Sequence, residues 1–348
     1  MQKLYLLLLL ILSGCANAQT KKIGIYDWKE YKQMTPISVI DMQESDLLFG
    51  NSSSLSALIG DWLFIYDPYE GNQYSLFNLK TKEEKRILAK GNGPGEFLQP
   101  TQIFVDEGRQ QVKLYERQKA LFHTYSFHHA VRGEFRNPIS VDDIGDVGYD
   151  ATICGTNYVQ DREAEDLKIF SLKDATGKTL ARFGNYPGKS IKGLTDPMSI
   201  LMLAQSRAIA NPKGDVIVTA GRMNDWVAFY QLKDNQPRLI KEYFSIDAEA
   251  KIERGANFTR MTHNDKTITA YMRLYPTSKY LYALYSGAYK GYRPPYRYLQ
   301  VFDWNGNFVK GLRFSERLNS IVVNEKEGKL YGLSKTNDEP CIYVYSLQ

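Results

Sequence analysis

The sequence predicts an all-β fold, a six-bladed β-propeller of four-stranded antiparallel blades whose ring is closed by the N-terminal strand. Three observations carry this. Residues 91–117 read as loop, strand, turn and strand. Fainter copies of that unit begin near residues 55, 102, 151, 207, 269 and 319, a spacing of about 50 residues that suits blades better than shorter solenoid repeats. Finally, 25 tyrosines and 16 phenylalanines among 348 residues favour strands over helices.

The unit itself is Gly91-Asn92-Gly93-Pro94-Gly95-Glu96-Phe97 followed by two alternating strands. Its glycines permit positive φ or close backbone approach, and Pro94 stiffens the turn between them. Ile103 and Val105 then alternate with Gln102, Phe104 and Asp106 at the period of a strand, and a polar turn at residues 106–109 leads into Val112 and Leu114. Residues 91–117 resemble the repeat of NHL-like and TolB-like six-bladed propellers, in which a G-x-G-P-G-x-F loop precedes a P-x-x-I-x-V-D strand. Phe183-Gly184-Asn185-Tyr186-Pro187-Gly188 is similar to a G-x-Y-P turn of TolB-like propeller lipoproteins of the Bacteroides type. The repeat departs from the NHL pattern after its second strand, where Glu116-Arg117 stand in place of the usual aspartate.

The other blades follow in order. Residues 54–90 supply the first, with strands at 55–59, 62–66, 74–79 and 86–89. The second begins at Thr101 and the third near Asp150. Residues 198–205 are apolar enough for one or two helical turns before blade four, and residues 246–265, polar and without period, read as a long inter-blade loop. Blade five contains the Asn305-Gly306 hairpin signal. Blade six has only three strands before the chain stops, and residues 36–42 supply the fourth, which removes the open sheet edge.

Residues 1–14 read as a signal peptide, with Lys3 ahead of the apolar run 4–12, which is too short to span a bilayer. Leu12-Ser13-Gly14-Cys15 resembles a lipobox, which implies a lipidated Cys15, a lipid-anchored tether over residues 15–35 and a propeller over 36–348. Residues 16–22 are basic rather than acidic, so a periplasm-facing anchor in the cell envelope is expected; cleavage after Ala18 would instead leave a soluble periplasmic or secreted protein. Cys154 and Cys341 fall on opposite sides of the ring, too far apart to bridge, and are expected to be free and buried. The net charge of +5 lacks the Lys/Arg blocks of a nucleic-acid binder.

Propeller ligands sit at a mouth of the central channel, on the face that carries the strand two-to-three loops and the inter-blade loops. Those loops offer Asp67, Tyr69 and Glu70; Glu116 and Arg117; Asp161, Arg162 and Glu163; Arg222, Asn224 and Asp225; Tyr292 and Arg293; and Lys335, Asn337 and Asp338. Arginine suits bidentate contact with carboxylate or phosphate, although charged tips of this kind are also what solvent alone would select. Nine tyrosines lie between Tyr271 and Tyr298, and the loop around Tyr289, Tyr292 and Arg293 offers flat apolar faces with polar tips, suited to sugar rings or a protein. The candidate ligand-binding set is therefore Tyr69, Arg117, Arg162, Arg222, Tyr289, Tyr292 and Arg293.

Catalytic signatures are weak. Asp142, Asp143, Asp146 and Asp150 could collect Ca²⁺ but lack EF-hand spacing. His123, His128, His129 and His263 show no zinc-ligand spacing, and neither a G-x-S-x-G elbow nor a Walker loop occurs. The expected function is a monomeric, non-catalytic binding or scaffold module for an envelope protein or glycan, with no metal and no cofactor. The alternative is a metal-dependent, lactonase-like hydrolase or lyase, because related propeller families include such enzymes.

Overall fold

The computed structural model describes residues 25–42, 56–69, 71–145, 148, 150–161, 168–192, 194, 196–255, 258–289, 296–336 and 339–348. The signal peptide and Cys15 lie outside the described residues, as do Arg162, Tyr292 and Arg293.

Two short strands, β1 (Lys32–Met34) and β2 (Ser38–Asp41), precede the ring. Blade one is β3 (Ser56–Ile59), β4 (Trp62–Tyr69), β5 (Asn72–Asn78) and β6 (Glu84–Ala89). Blade two comprises β7 (Pro100–Asp106), β8 (Gln111–Glu116), β9 (Leu121–Ser126) and β10 (Ser140–Asp143), with a single helical turn, α1 (Phe127–Ala130), between its last two strands. Blade three is β11 (Asp150–Cys154), β12 (Asn157–Asp161), β13 (Lys168–Lys173) and β14 (Thr179–Asn185). After α2 (Pro197–Leu203) come β15 (Ser206–Ala210), β16 (Val216–Gly221), β17 (Val227–Lys233) and β18 (Gln236–Tyr243) of blade four. A separate hairpin, β19 (Ala250–Gly255) and β20 (Phe258–His263), leads to blade five: β21 (Ile268–Pro276), β22 (Tyr280–Tyr289), β23 (Tyr296–Asp303) and β24 (Phe308–Leu318). Blade six is β25 (Ser320–Asn324), β26 (Lys329–Thr336) and β27 (Glu339–Ser346), and β2 completes it by pairing antiparallel with β27 from Ser38↔Val344 to Asp41↔Cys341. The ring is thus closed by the N-terminal strand, as expected.

The core is six interfaces rather than one centre. A cluster of buried apolar side chains lies between each pair of neighbouring blades. Strands sandwiched this way bury both faces at period two. Along β16, Val216, Val218 and Ala220 pack toward blade five, while Ile217 packs toward blade three. Continuous apolar runs such as 216–221 are the sequence trace of that arrangement.

The loop at residues 91–97 does what its glycines predicted. Gly95 sits at φ +81°, and a Cβ there would come within 2.9 Å of the backbone at Phe135 and Arg136, so the loop packs against the chain leading into β10. Phe97 is buried and meets the His123 ring edge-on at 5.1 Å.

Two expectations are corrected. Residues 246–265 are not a plain loop, because β19 and β20 form a hairpin in which Ile252 pairs with Met261. Ala250, Ile252 and Met261 pack on the cluster between blades three and four, while Glu253 and Arg260 pair at 2.6 Å on the solvent side. One thin apolar face was hidden by the polar residues between its members. Cys154 and Cys341 are both free, but only Cys154 is buried and Cys341 is half-buried on its edge-proximal strand. Within the stretch read as tether, residues 25–34 dock on blade five: Trp28 stacks on Tyr285 at 4.8 Å, and β1 adds a fifth strand parallel to β24.

Candidate functional site at the channel mouth

Each first strand contributes one polar side chain to a set in contact from blade to blade: Ser56, Gln102, Asp150, Arg207, Arg273 and Ser320, in order round the ring. Their contacts cross from blade to blade. Ser56 and Ser320 hydroxyls meet at 2.7 Å, Gln102 Nε2 donates to Asp150 Oδ1 at 2.5 Å, and Arg207 Nη1 lies 3.6 Å from Asp150 Oδ2. Arg273 of blade five reaches past blade six to donate to the carbonyl of Ser56 in blade one. In a low-dielectric channel these groups hold charge only because they are paired.

The pairing is incomplete on the basic side. The Nε atoms of Arg207 and Arg273 are buried without hydrogen-bond partners, and so is the phenolic oxygen of Tyr74. A buried donor left unmatched costs about 1–3 kcal/mol. Burial brings the Arg273 guanidinium down to about 10, with Arg207 as a nearby like charge, while Tyr275, Tyr74 and Asp150 oppose the fall. Burial also raises Asp150, opposed by Arg207, the bond from Gln102 and Arg222.

Next to this set, acids stand at or near the loop ends of the second strands of blades one to four. Glu116 is buried and accepts the backbone N–H groups of Leu98 and Gln99, both at 2.9 Å, which fixes the entry to blade two. Asp225 Oδ1 accepts the N–H groups of Ser245 and Ile246 at 2.8 and 2.7 Å, and Asp161 Oδ1 accepts the Asp150 N–H at 2.5 Å. In blade one, Asp67 is buried against Arg86 at 2.8 Å. Glu116, Asp161 and Asp225 are thus clamps on the backbone, and all four acids are buried side chains and not wet tips. Asp161 is pushed well above the usual carboxylate range by burial and then by the Asp150 charge, with Arg117 opposing.

Of the residues expected to bind, Arg117 and Arg222 are half-buried at this mouth. Arg117 Nε donates to the Gly148 carbonyl at 3.1 Å, and its charge acts on Asp161, while that of Arg222 acts on Asp150. Tyr69 ends β4 and Tyr289 ends β22, on the same loop-bearing face. Arg162, Tyr292 and Arg293 fall outside the described residues.

Asp146 lies outside the described residues, and the other three acids of the loop do not converge. Asp142 pairs with Lys113 at 3.1 Å and accepts from Tyr158, Asp143 accepts the Gly145 N–H, and Asp150 belongs to the channel ring. Among the described residues, no three His, Cys, Asp or Glu side chains gather as a metal-ligand set would. The opposite face has a shallow cleft of ≈ 280 Å³ lined by Gly60, Asp61, Glu107, Gln110, Asn324, Lys326 and Glu327. There Lys326 of blade six pairs with Glu107 of blade two at 2.6 Å.

Arg207 and Arg273 went unread in the sequence. A signal was present, since Ser56, Arg207 and Arg273 interrupt apolar strands four positions ahead of the hairpin turns at Gly60, Asn211 and Thr277.

Comparison with known proteins agrees with this architecture. The family model described as TolB-like 6-blade propeller-like matches residues 56–326. Among solved structures, the chain is similar to a member of the DUF4221 family from Bacteroides vulgatus, at 11% identity and a TM-score of 0.56, covering 90% of this chain and 97% of that one. It is also similar to a protein from Bacteroides fragilis described as exported, at 13% identity and a TM-score of 0.51, covering 90% of this chain and 98% of that one. At such identities the likeness is one of fold. No curated protein matches the chain.

Proposed function

This chain belongs to the TolB-like 6-blade propeller-like family, and on that premise we propose that it is a non-catalytic binding module of the bacterial cell envelope, presenting its loop-bearing face to a protein or glycan partner. The observation that carries this reading is the use of the acids on that face. Glu116, Asp161 and Asp225 are committed to the backbone amides of Leu98, Gln99, Asp150, Ser245 and Ile246, so these stretches of the face are held in one shape before any partner arrives. Preorganised loops lower the entropy lost on binding. Arg117 and Arg222 stand at the mouth those loops frame, beside the channel carboxylates.

An envelope address is supported by the charged and apolar pattern of residues 1–12, by Cys15 directly after it, and by the exported description of the Bacteroides fragilis protein of similar fold. A lipidated Cys15 keeps the propeller at the membrane. Mass spectrometry of the mature protein then finds a diacylglyceryl cysteine at its N-terminus; an unmodified Gln19 there would remove the anchor from the proposal.

The binding reading is tested by capture from envelope extracts with immobilised chain, comparing wild type with the Arg117→Ala/Arg222→Ala double variant. Recovery of the partner drops at least tenfold while the melting temperature stays put. Undiminished recovery would assign both arginines to the fold alone.

A further inference from the structure

We infer that the channel ring holds the carboxylate of a hydroxyl-rich small acid, either free or as the acidic end of a glycan, between Arg207 and Arg273. This deepens the binding reading above and rests on it, since it names what enters the mouth that Arg117 and Arg222 frame.

The arginines are built for this and are not consumed by the fold. Arg207 commits Nη1 to Asp150, and Arg273 commits Nη2 to the Ser56 carbonyl, yet each keeps a buried Nε with no acceptor. The Nε side of a guanidinium is one of the edges that meets a carboxylate with two parallel N–H bonds. Arg273 is only 8% exposed, and the Tyr74 hydroxyl near it is likewise buried and unmatched. Three unmatched polar atoms, from blades one, four and five, are therefore buried together, with Arg207 and Tyr74 both within electrostatic reach of Arg273.

Charge selects the ligand further. At the level of the ring, Arg207 and Arg273 face a single carboxylate, Asp150. The surplus is one positive charge, which a monoanion cancels and a dianion would overshoot in a place where uncompensated charge is costly. The remaining ring members, Ser56, Ser320 and Gln102, are neutral hydrogen-bonding groups. They suit hydroxyls beside the carboxylate.

The test uses the mature full-length chain, with D-galacturonate as probe, D-galactose as its neutral counterpart and inorganic phosphate as the dianion, read by thermal shift and by isothermal titration. Galacturonate raises the melting temperature by several degrees at millimolar concentration, and galactose leaves it unchanged. Arg207→Gln and Arg273→Gln each abolish the galacturonate shift. Ser320→Asp, which supplies a carboxylate from the protein itself, abolishes it too, and serves if an arginine variant does not fold. A tri-galacturonate that binds more tightly than the monomer makes the ligand a glycan end; equal affinity makes it a free acid, and both agree with the site. Absence of any galacturonate shift, its survival in these variants, or a larger shift with phosphate overturns the inference. Partner capture through Arg117 and Arg222 is a separate readout, so the broader binding reading stands or falls independently.

Discussion

The Tyr186 hydroxyl donates to Asp247 Oδ1 at 2.7 Å across 61 positions of sequence. This bond ties the loop leaving blade three to the loop leaving blade four, and Asp247 also accepts the N–H groups of Lys189 and Ser190 and the Ser190 hydroxyl. It explains why a tyrosine stands in the turn at residues 183–188. Burial by itself would raise Asp247, but the hydrogen bonds from Tyr186, Ser190 and Ala248 outweigh it and hold the carboxyl below its usual range.

Tyr186→Phe therefore loses about 1–2 kcal/mol of stability at pH 7. Asp247→Asn is destabilised as well, and its deficit depends on pH. A carboxyl whose folded pKa is depressed stabilises above its unfolded value of about 4, and that contribution disappears as pH falls through the folded value. The gap in melting temperature between Asp247→Asn and wild type should narrow below about pH 4. A gap that is constant from pH 3 to 7 would mean the bonds do not depend on the charge.

Gly155 and Gly214 meet on the opposite face, where the first hairpins of blades three and four touch. A Cβ on Gly214 would lie 2.2 Å from the Gly155 nitrogen, and its φ is +71°. Gly60 has a similar φ of +56° but open space around it. Gly60→Ala should cost about 1 kcal/mol from backbone strain alone, and Gly214→Ala roughly 3 kcal/mol or more from strain plus backbone collision. Denaturant titration of both separates the two effects, and equal losses would rule out the collision.

The ring depends on β2 for closure. Deleting residues 36–42 strips the outer strand from blade six, exposes the hydrogen-bonding edge of β27, and removes the buried Met42 from the interface between blades six and one. The truncated chain is expected to self-associate in sedimentation velocity and to lose a single cooperative melt. A monomer with the wild-type melting temperature would show the strand to be dispensable.

Cys154 is a thiol kept out of chemistry by its surroundings. It donates to the Gly214 carbonyl at 3.2 Å, and burial, with Asp215 adding to it, pushes it up to about 12. At pH 8 roughly one molecule in ten thousand carries the thiolate. Ellman's reagent at that pH should leave Cys154 unlabelled in the native Cys15→Ser protein and label it fully in guanidinium. Rapid native labelling, located by peptide mapping, contradicts the burial.

The fold was legible in the chain because each blade repeats the same local grammar, and residues 91–117 state it in full. Both faces of the inner strands are buried, so apolar runs such as 216–221 marked them even where alternation was weak. The hairpin at residues 250–263 was not legible, because only Ala250, Ile252 and Met261 touch the core between charged neighbours. Loop position alone placed Arg117 and Arg222 at the mouth, where the structure has them half-buried. The ring below them was missed for a geometric reason: each blade gives it one side chain, some fifty residues from the next, so no local spacing betrays the set. Asp150 in particular looked like part of an acidic loop until the fold brought Arg207 to 3.6 Å from it.

Asp161 gives the sharpest test of the clamp arrangement. It lies buried beside Asp150, whose N–H it accepts, and burial followed by repulsion from Asp150 lifts its carboxyl well above the usual range. We assign the shared proton to Asp161 because Arg207 and Arg222 face Asp150. A carboxyl with a raised folded pKa is at its most favourable below the unfolded value, about 4, and becomes progressively unfavourable as pH rises through the folded value. Asp161→Asn keeps an acceptor for the Asp150 N–H and removes the charge. Its melting temperature relative to wild type should therefore climb between pH 4 and pH 8, opposite in sign to the Asp247→Asn series. A difference that stays flat over that range would mean Asp161 is ionised throughout, with Arg117 rather than burial setting its state.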